Sequence, residues 1–510
     1  MAKEKRIVAM TFQVTAITFA IKILGVLKQS IIAAVCGASL ETDAYFIASG
    51  IIVALCSVIF SAVSVSFLSI YTERCVHEGM ESGNNLVNAV LRFFLPIAIF
   101  IMIIFFVFST QFAKAFAPSY DGEQLRVLAG YIRIMSVMFL FSCYTLIINV
   151  VLEADKRFLP GRMQNLLQNA FIIVAALLFY KQFGIGALLY AFLLAGVVQC
   201  ILITISARNV FKFQLKISPE KEKLKQLIVL IIPLLLGNAI YEINDIVDKQ
   251  ISSGIGSGSV SYLSYGASIN EIVSALIITS VSSVLFSHYA TWVAEGEINK
   301  IESTLKKSLE LLIMLIMPIM VMYIVGGDCI VALLYGRGSF GIESIQKTYS
   351  VVIGYALGFF FQAARSIIIR VFYAFQDAKT PMVNGLVAII ANIFMSIVFS
   401  KVFGVGGIAL ATSVAMLLVS LLLLPCIKKY IAGFSLKESI PEYIKVIIAG
   451  VITGVISYLV RMVFQPGYIF GFFFLGVVVV SIYCLAAYCL GIKSFKSSIL
   501  QIKKVMRKII

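Results

Sequence analysis

Residues 7–35 read IVAMTFQVTAITFAIKILGVLKQSIIAAV, and the fold class turns on this stretch. It is apolar nearly throughout and exceeds the roughly 20 residues that a helix needs to cross a hydrocarbon core. Within it Thr11, Thr15, Thr18, Lys22, Gly25 and Gln29 recur at alternating steps of four and three, which places them on one helical face. Lys22 falls near mid-membrane, where a lysine costs about 2.5–3.5 kcal/mol to insert, so it needs a polar interior to face. Lys28 adds a second cation nearer the far end. The stretch is longer than the apolar region of a signal peptide and carries its own polar stripe, so it reads as a retained helix.

Composition extends this reading to the whole chain. Of 510 residues, 61% are hydrophobic and 13% charged, and the mean hydropathy is +1.02. That is a polytopic membrane protein, with no polar stretch long enough for a separate soluble domain. The formal charge of +16 reflects membrane topology rather than nucleic-acid binding, because lysine and arginine accumulate in cytoplasmic loops. Nine cysteines are scattered through apolar runs without a CxxC pair, as small core residues rather than disulfides or metal ligands.

Fourteen apolar stretches follow in order, near 7–35, 43–71, 86–110, 124–152, 162–181, 185–207, 226–249, 261–290, 308–327, 345–373, 382–401, 405–426, 443–461 and 468–490. An even number puts both termini on one side, and that side holds 29 of the 41 Lys and Arg residues against 8 on the other. Both termini are therefore expected in the cytoplasm. The chain also repeats itself. Pro160 precedes Lys-Gln-Phe-Gly-Ile-Gly at 181–186, and Pro381 precedes Lys-Val-Phe-Gly-Val-Gly at 401–406. Residues 66–71 parallel 284–289 in the same way. Six spans separate the equivalents, so the halves share an orientation, as parallel repeats do. The expected architecture is all-α: two six-helix lobes (1–222 and 223–430) around a central cavity, then 431–510 with two further helices and a basic tail.

Charged and polar residues inside spans mark the candidate site. Span 7 carries Asn238, Glu242, Asp245 and Lys249 on one face, with Asp248 beside them and Pro233 and Gly237 to let the helix bend. These side chains either neutralise one another at a helix end near water, or line a cavity that includes a cation site. Asp43 opens span 2 and either caps that helix or pairs with Lys28. Glu271 in span 8 lies too deep for a cap and is assigned to the cavity. Arg365 in span 10 and Arg133 in span 4 are cavity cations or snorkelling residues, and Asn392, Ser396 and Thr412 in spans 11 and 12 are hydrogen-bonding candidates. Nothing resembles a nucleophile–base set, a Walker loop or a dinucleotide fingerprint, so the chain reads as a transporter and not an enzyme.

Several of these segments, taken together, resemble one family. Lys22-Ile23-Leu24-Gly25-Val26-Leu27-Lys28-Gln29, residues 37–46 (GASLETDAYF), 247–260, 334–340 (LYGRGSF) and 370–381 (RVFYAFQDAKTP) are similar to the MurJ (MviN) lipid II flippases. These belong to the multidrug/oligosaccharidyl-lipid/polysaccharide exporter superfamily. The resemblance runs over nearly the whole chain. It implies alternating-access export of an undecaprenyl-diphosphate-linked saccharide, lipid II above all, from the cytoplasmic to the outer leaflet for peptidoglycan and the cell wall. By position, the family's first-span cations fall on Lys22 and Lys28 and its acidic partner on Asp43. Glu271, Glu242 and Arg365 are carried as cavity residues. An expected span 8 arginine falls on Ser268, and a span 2 basic pair on residues around Cys56 and Ser57. Lysine keeps the charge but lacks the fork that grips a phosphate.

The family's sodium site implies Asp245 or Asp248 with Asn392 and Thr412, although Ser396 stands where an acid is expected. Sodium or proton coupling without an organic cofactor is the expectation. So are membrane lipids and the lipid-linked saccharide as partners, with the chain acting as a monomer. The stripes of spans 1 and 7 are expected to face each other across the cavity. Competing readings are a flippase for O-antigen, capsular or other polysaccharide repeat units and a cation-coupled drug antiporter. The antiporter should favour acidic cavity residues.

Overall fold

The computed structural model describes residues 2–214, 220–275 and 279–498. The side chains of Thr11, Thr15, Pro233, Gly237 and Asn238, with the basic head and the tail beyond residue 498, lie outside the described residues. Among the described residues the structure is helical, with no strand, and it forms two compact units, each built on its own core.

The first unit, Met1–Ser261 with Gly338–Phe340, contains α1 (Ala2–Cys36), α2 (Leu40–Val107), α3 (Ser109–Phe116), α4 (Gly122–Met135), α5 (Met138–Ala154), α6 (Leu159–Leu178), α7 (Tyr180–Phe183), α8 (Gly186–Ala207) and α9 (Lys221–Ser253). Ser39 caps α2, its hydroxyl accepting from the Thr42 N–H at 3.2 Å. The 68 residues of α2 are two helices meeting at Gly79, whose φ of 88° and ψ of 170° lie outside helical space. α2 therefore covers two expected spans. The linker after α8 is sewn to α2 by two carboxamides. Asn84 exchanges two hydrogen bonds with the Lys212 backbone (2.9 and 2.8 Å), and Asn88 accepts from the Gln214 N–H at 2.9 Å.

The second unit, Tyr262–Arg337 and Gly341–Ile510, holds nearly all of α10 (Ser259–Val273), then α11 (Thr279–Glu295), α12 (Ile298–Tyr335), α13 (Ile342–Ala356), α14 (Phe359–Ala374), α15 (Lys379–Phe403), α16 (Val405–Ile427), α17 (Ile440–Phe464) and α18 (Tyr468–Cys489). α13 and α16 touch through small residues. A Cβ on Gly354 would lie 2.7 Å from the Gly406 carbonyl oxygen, and Ser413 donates to the Gly354 carbonyl at 2.6 Å. α17 and α18 dock on α12 through Ile313, Met314, Val446, Ala449, Tyr483 and Ala487.

Among the described residues, all fourteen expected stretches fall on helices. By length and hydropathy, however, nine helices among the described residues qualify as spans, or ten if the bent pair α13–α14 (41°) counts as one. A count of fourteen crossings is not established by these criteria. Packing also groups α9 with the first unit, against α2, whereas the repeat puts the lobe boundary at 222/223. Sequence equivalence and packing partner are different properties. Of the cysteines, all free, Cys36, Cys56, Cys143 and Cys329 are buried as core residues should be, whereas Cys426, Cys484 and Cys489 are exposed.

The repeat recurs in backbone geometry. α5 and α14 both end in a left-handed residue, Lys156 at φ 62° and Gln376 at φ 60°. The next N–H returns to the carbonyl five residues back, from Arg157 to Leu152 (2.7 Å) and from Asp377 to Phe372 (2.9 Å). Gly184 (φ 54°, ψ −143°) and Gly404 (φ 60°, ψ −141°) make matching turns. In the second unit Asp377 also starts α15, accepting from the Thr380 N–H (3.0 Å), the Thr380 hydroxyl (2.7 Å) and the Tyr430 hydroxyl (2.9 Å), with Lys429 at 3.5 Å. These donors, the Thr380 amide first, hold its carboxyl well below the usual carboxylate range.

Gly354→Ala should destabilise the purified protein by about 1–3 kcal/mol, because its neighbour is backbone and cannot give way. Gly454→Ala, whose Cβ would meet nothing nearer than 4.0 Å, should melt like the parent; equal melting of the two variants would refute the close-contact argument. The depressed Asp377 pKa adds stability that is full above the ordinary carboxylate value of about 4 and is lost as pH falls below it. Asp377→Asn should therefore show a shallower loss of melting temperature than the parent between about pH 5 and pH 3.

Candidate functional site

The polar face of α1 is only partly open. Lys22 is exposed and Lys28 half-buried. Gly25, on the same stripe, turns toward α6, where a Cβ would sit 3.8 Å from Asn169 Nδ2. That amide reaches the Ile21 carbonyl at 3.4 Å. The glycine of the stripe is thus a packing residue, and Lys22 stands beside the seam it makes.

Asp43 has a role that neither sequence reading contained. Ser39, not Asp43, caps α2. The Asp43 side chain is fully buried. Its Oδ2 accepts from the Gly258 N–H at 2.7 Å, and its Oδ1 from the Ser261 N–H at 2.7 Å and the Ser261 hydroxyl at 2.6 Å. A carboxylate from α2 thereby takes amide protons that the start of a helix cannot satisfy within itself. Nearby, the end of α1 is closed by the segment 338–340, with the Ser339 N–H on the Ala34 carbonyl (2.8 Å) and the Ser339 hydroxyl on the Val35 carbonyl (3.2 Å). Gly37 (φ 67°) and Gly338 (φ 56°) allow this approach.

The charged face of α9 lies against α2. Glu242 lies beside Ser57 of α2, and the Lys249 ammonium occupies the space over Gly50 where a Cβ would stand. Lys249 also pairs with Asp245 at 2.6 Å, so part of this face neutralises itself. Asp248 is buried and accepts from the Asn244 amide at 3.2 Å.

In the second unit Glu271 is exposed on α10, and Ser268 is turned onto the Ser264 carbonyl (2.9 Å). Arg365 is tied into the bundle. Its Nε donates to Asn384 Oδ1 at 3.0 Å, and Asn384 donates to the Val419 carbonyl at 2.9 Å, joining α14, α15 and α16. Asn392 donates to Thr412 at 2.9 Å, and Ser396 to Asn392 at 3.5 Å. Of the candidate cation ligands, Asp245 and Asp248 belong to the first unit, and Asn392 and Thr412 to the second. Among the described residues no three His, Cys, Asp or Glu side chains gather into a metal-holding group. Sequence reasoning missed Ser261, Ser339 and the pair Asp328–Arg461. The turn glycines 256, 258 and 338 were the available signal for the first two.

An all-helical chain with an internal repeat and charged side chains inside its apolar helices is a polytopic membrane transporter. Solved structures share the fold. A structure titled "Lipid II flippase MurJ, inward closed conformation" superposes with a TM-score of 0.79 at 24% identity, covering 93% of this chain and 97% of that one. An inward-facing MATE-family multidrug resistance transporter of the MOP superfamily follows at 0.70 and 14%, covering 82% and 96%.

The sequence profile described as "Lipid II flippase MurJ" matches residues 32–479, and the chain belongs to that family. A probable lipid II flippase MurJ of Thermotoga maritima is 24% identical over 94% of this chain and 96% of its own length. The lipid II flippase MurJ of Burkholderia cenocepacia is 24% identical over 82% and 83%.

Removing the Asp43 carboxylate strands at least two buried amides. Asp43→Ala should therefore cost about 3 kcal/mol, whereas Ser261→Ala, losing one hydroxyl, should cost about 1 kcal/mol. Thermal melting in detergent followed at Trp292, the only tryptophan, reads both; an Asp43→Ala protein that melts with the parent would show that the cap contributes nothing.

Proposed function

We propose that this chain is a flippase that moves lipid II, an undecaprenyl-diphosphate-linked cell-wall precursor, from the cytoplasmic to the outer leaflet of a bacterial inner membrane. The observation that carries the reading is the family match across residues 32–479. The cations of α1 support it. Lys22 is exposed on an apolar helix, and a diphosphate is the ligand whose charge offsets the cost of keeping ammonium groups there. A drug antiporter for cationic substrates would want carboxylates in that place. In this reading the headgroup is drawn into a cavity by Lys22 and Lys28 while the polyprenyl tail stays in lipid, and the protein then opens to the other side. Membrane potential or a sodium or proton gradient drives the return, with Asp245, Asp248, Asn392 and Thr412 as the candidate ion ligands. The 29-to-8 bias of basic residues supports cytoplasmic termini, and the chain is taken to act as a monomer.

The test is growth of cells depleted of their own lipid II flippase, paired with an assay of lipid II exposed on the outer leaflet. Wild type should restore both. The Lys22→Ala/Lys28→Ala double variant should lose at least roughly tenfold in outer-leaflet lipid II, since each charge-assisted phosphate contact is worth about 1.5–3 kcal/mol. Lysine-to-arginine variants should retain function. A double alanine variant as active as wild type overturns the role of the two lysines. Failure of wild type on lipid II, with translocation of another polyprenyl-linked glycan, transfers the assignment to a polysaccharide flippase.

A further inference from the structure

Two spans at equivalent positions of the repeat break at nearly the same place. α2 ends at Phe108 (φ −93°, ψ 22°), and the eight residues of α3 follow. α12 is bent at Gly326 (φ −127°, ψ 19°), with Gly327–Tyr335 beyond the bend. Each helix carries a proline earlier in its course, Pro96 and Pro318. A break misaligns the carbonyls just before it with their usual donors four residues on, and in a bilayer those carbonyls must find donors inside the protein.

In the second unit the donors come from other helices. The Ile324 carbonyl accepts the Tyr349 hydroxyl of α13, and the Val325 carbonyl accepts the Arg461 guanidinium of α17. The same guanidinium grips Asp328 with both arms, Nη1 donating to Oδ1 at 2.8 Å and Nη2 to Oδ2. The Asp328 side chain is only 4% exposed and lies just past the bend. Arg461 therefore holds a carbonyl on one side of the break and a carboxylate on the other. There is little slack: a Cβ on Gly327 would press the Tyr349 ring at 2.8 Å. The first unit has a looser counterpart, in which Arg133 of α4 donates to the Phe106 carbonyl at 3.3 Å and to the Ser109 hydroxyl at 3.1 Å.

We infer that Arg461 is a positioning residue that clamps the break in α12 and sets the direction of the segment Gly327–Tyr335, with Arg133 doing the same for α3. Neither arginine contacts substrate in this role. The segments beyond the breaks are short helices joined to their spans at a non-helical residue, and re-aiming them during transport requires a defined rest position. α17 lies outside the two six-span repeats, and supplying Arg461 gives it a mechanical function. The transport part of this inference rests on the flippase reading; the structural part does not.

The experiment is hydrogen–deuterium exchange of the purified full chain in lipid nanodiscs, read over residues 327–335 and 109–116. Arg461→Gln should accelerate exchange over 327–335 about tenfold and leave 109–116 unchanged, because one buried charge-assisted network is lost. Arg133→Gln should do the reverse and more weakly, since Arg133 is exposed. Arg461→Lys, which keeps the charge and one donor, should be intermediate. In flippase-depleted cells Arg461→Gln should reduce growth at unchanged membrane abundance, and Arg461→Lys should restore part of it. Unchanged exchange over 327–335 in Arg461→Gln overturns the inference whatever happens to growth. Should that variant not reach the membrane, Arg461→Lys and Asp328→Asn decide the question by the same exchange readout. If wild type itself moves no lipid II, the flippase reading fails, while the exchange data still decide the clamp.

Discussion

A peptide group surrounded by lipid has no water to bond to, and most of this structure's polar detail answers to that constraint. Regular helix satisfies it wherever the chain is apolar and uninterrupted. The informative places are where helices begin, end or break, because there the protein must import donors and acceptors from elsewhere. Asp43 supplies acceptors to amides at residues 258 and 261, and Ser339 supplies donors to carbonyls at the end of α1. Arg461 and Tyr349 supply donors where α12 bends. Few of these side chains come from the segment they complete. Remote capping thus joins distant segments within each unit.

The same constraint sorts the charged residues. Some are spent on structure: Arg365 is bound to Asn384, Arg461 to Asp328, and Lys249 to Asp245. Lys22 is exposed on α1, beside a seam formed by Gly25 and Asn169. A diphosphate is a ligand whose charge would offset the cost of an exposed ammonium on a membrane helix.

Much of the architecture was legible in the order of residues. Apolar runs separated by basic loops located the helices, and the Phe-Gly-x-Gly turns disclosed a repeat whose matching left-handed residues, Lys156 and Gln376, only the backbone revealed. The site was legible in part. Lys22, Lys28 and Asp43 were legible as candidates because charge is conspicuous in an apolar run. The role of Asp43 was not, because its partners lie more than two hundred residues away in a serine–glycine turn with no charge to announce it. The charged face of α9 was recognised, but not that it would lie on α2, with Glu242 at Ser57 and Lys249 over Gly50.

Hydrophobicity and periodicity are local properties. By themselves they determined that this chain is a helical membrane protein, roughly where its helices run and which side chains are too costly to be accidental. Caps, breaks and ion pairs depend on which distant segments meet, and that is decided by packing. Asp328 and Arg461 look like unremarkable residues near two helix ends when read along the chain. Only the fold brings a carboxylate, a guanidinium and the carbonyl of Val325 to one point, and a buried charge is tolerable only where such partners converge.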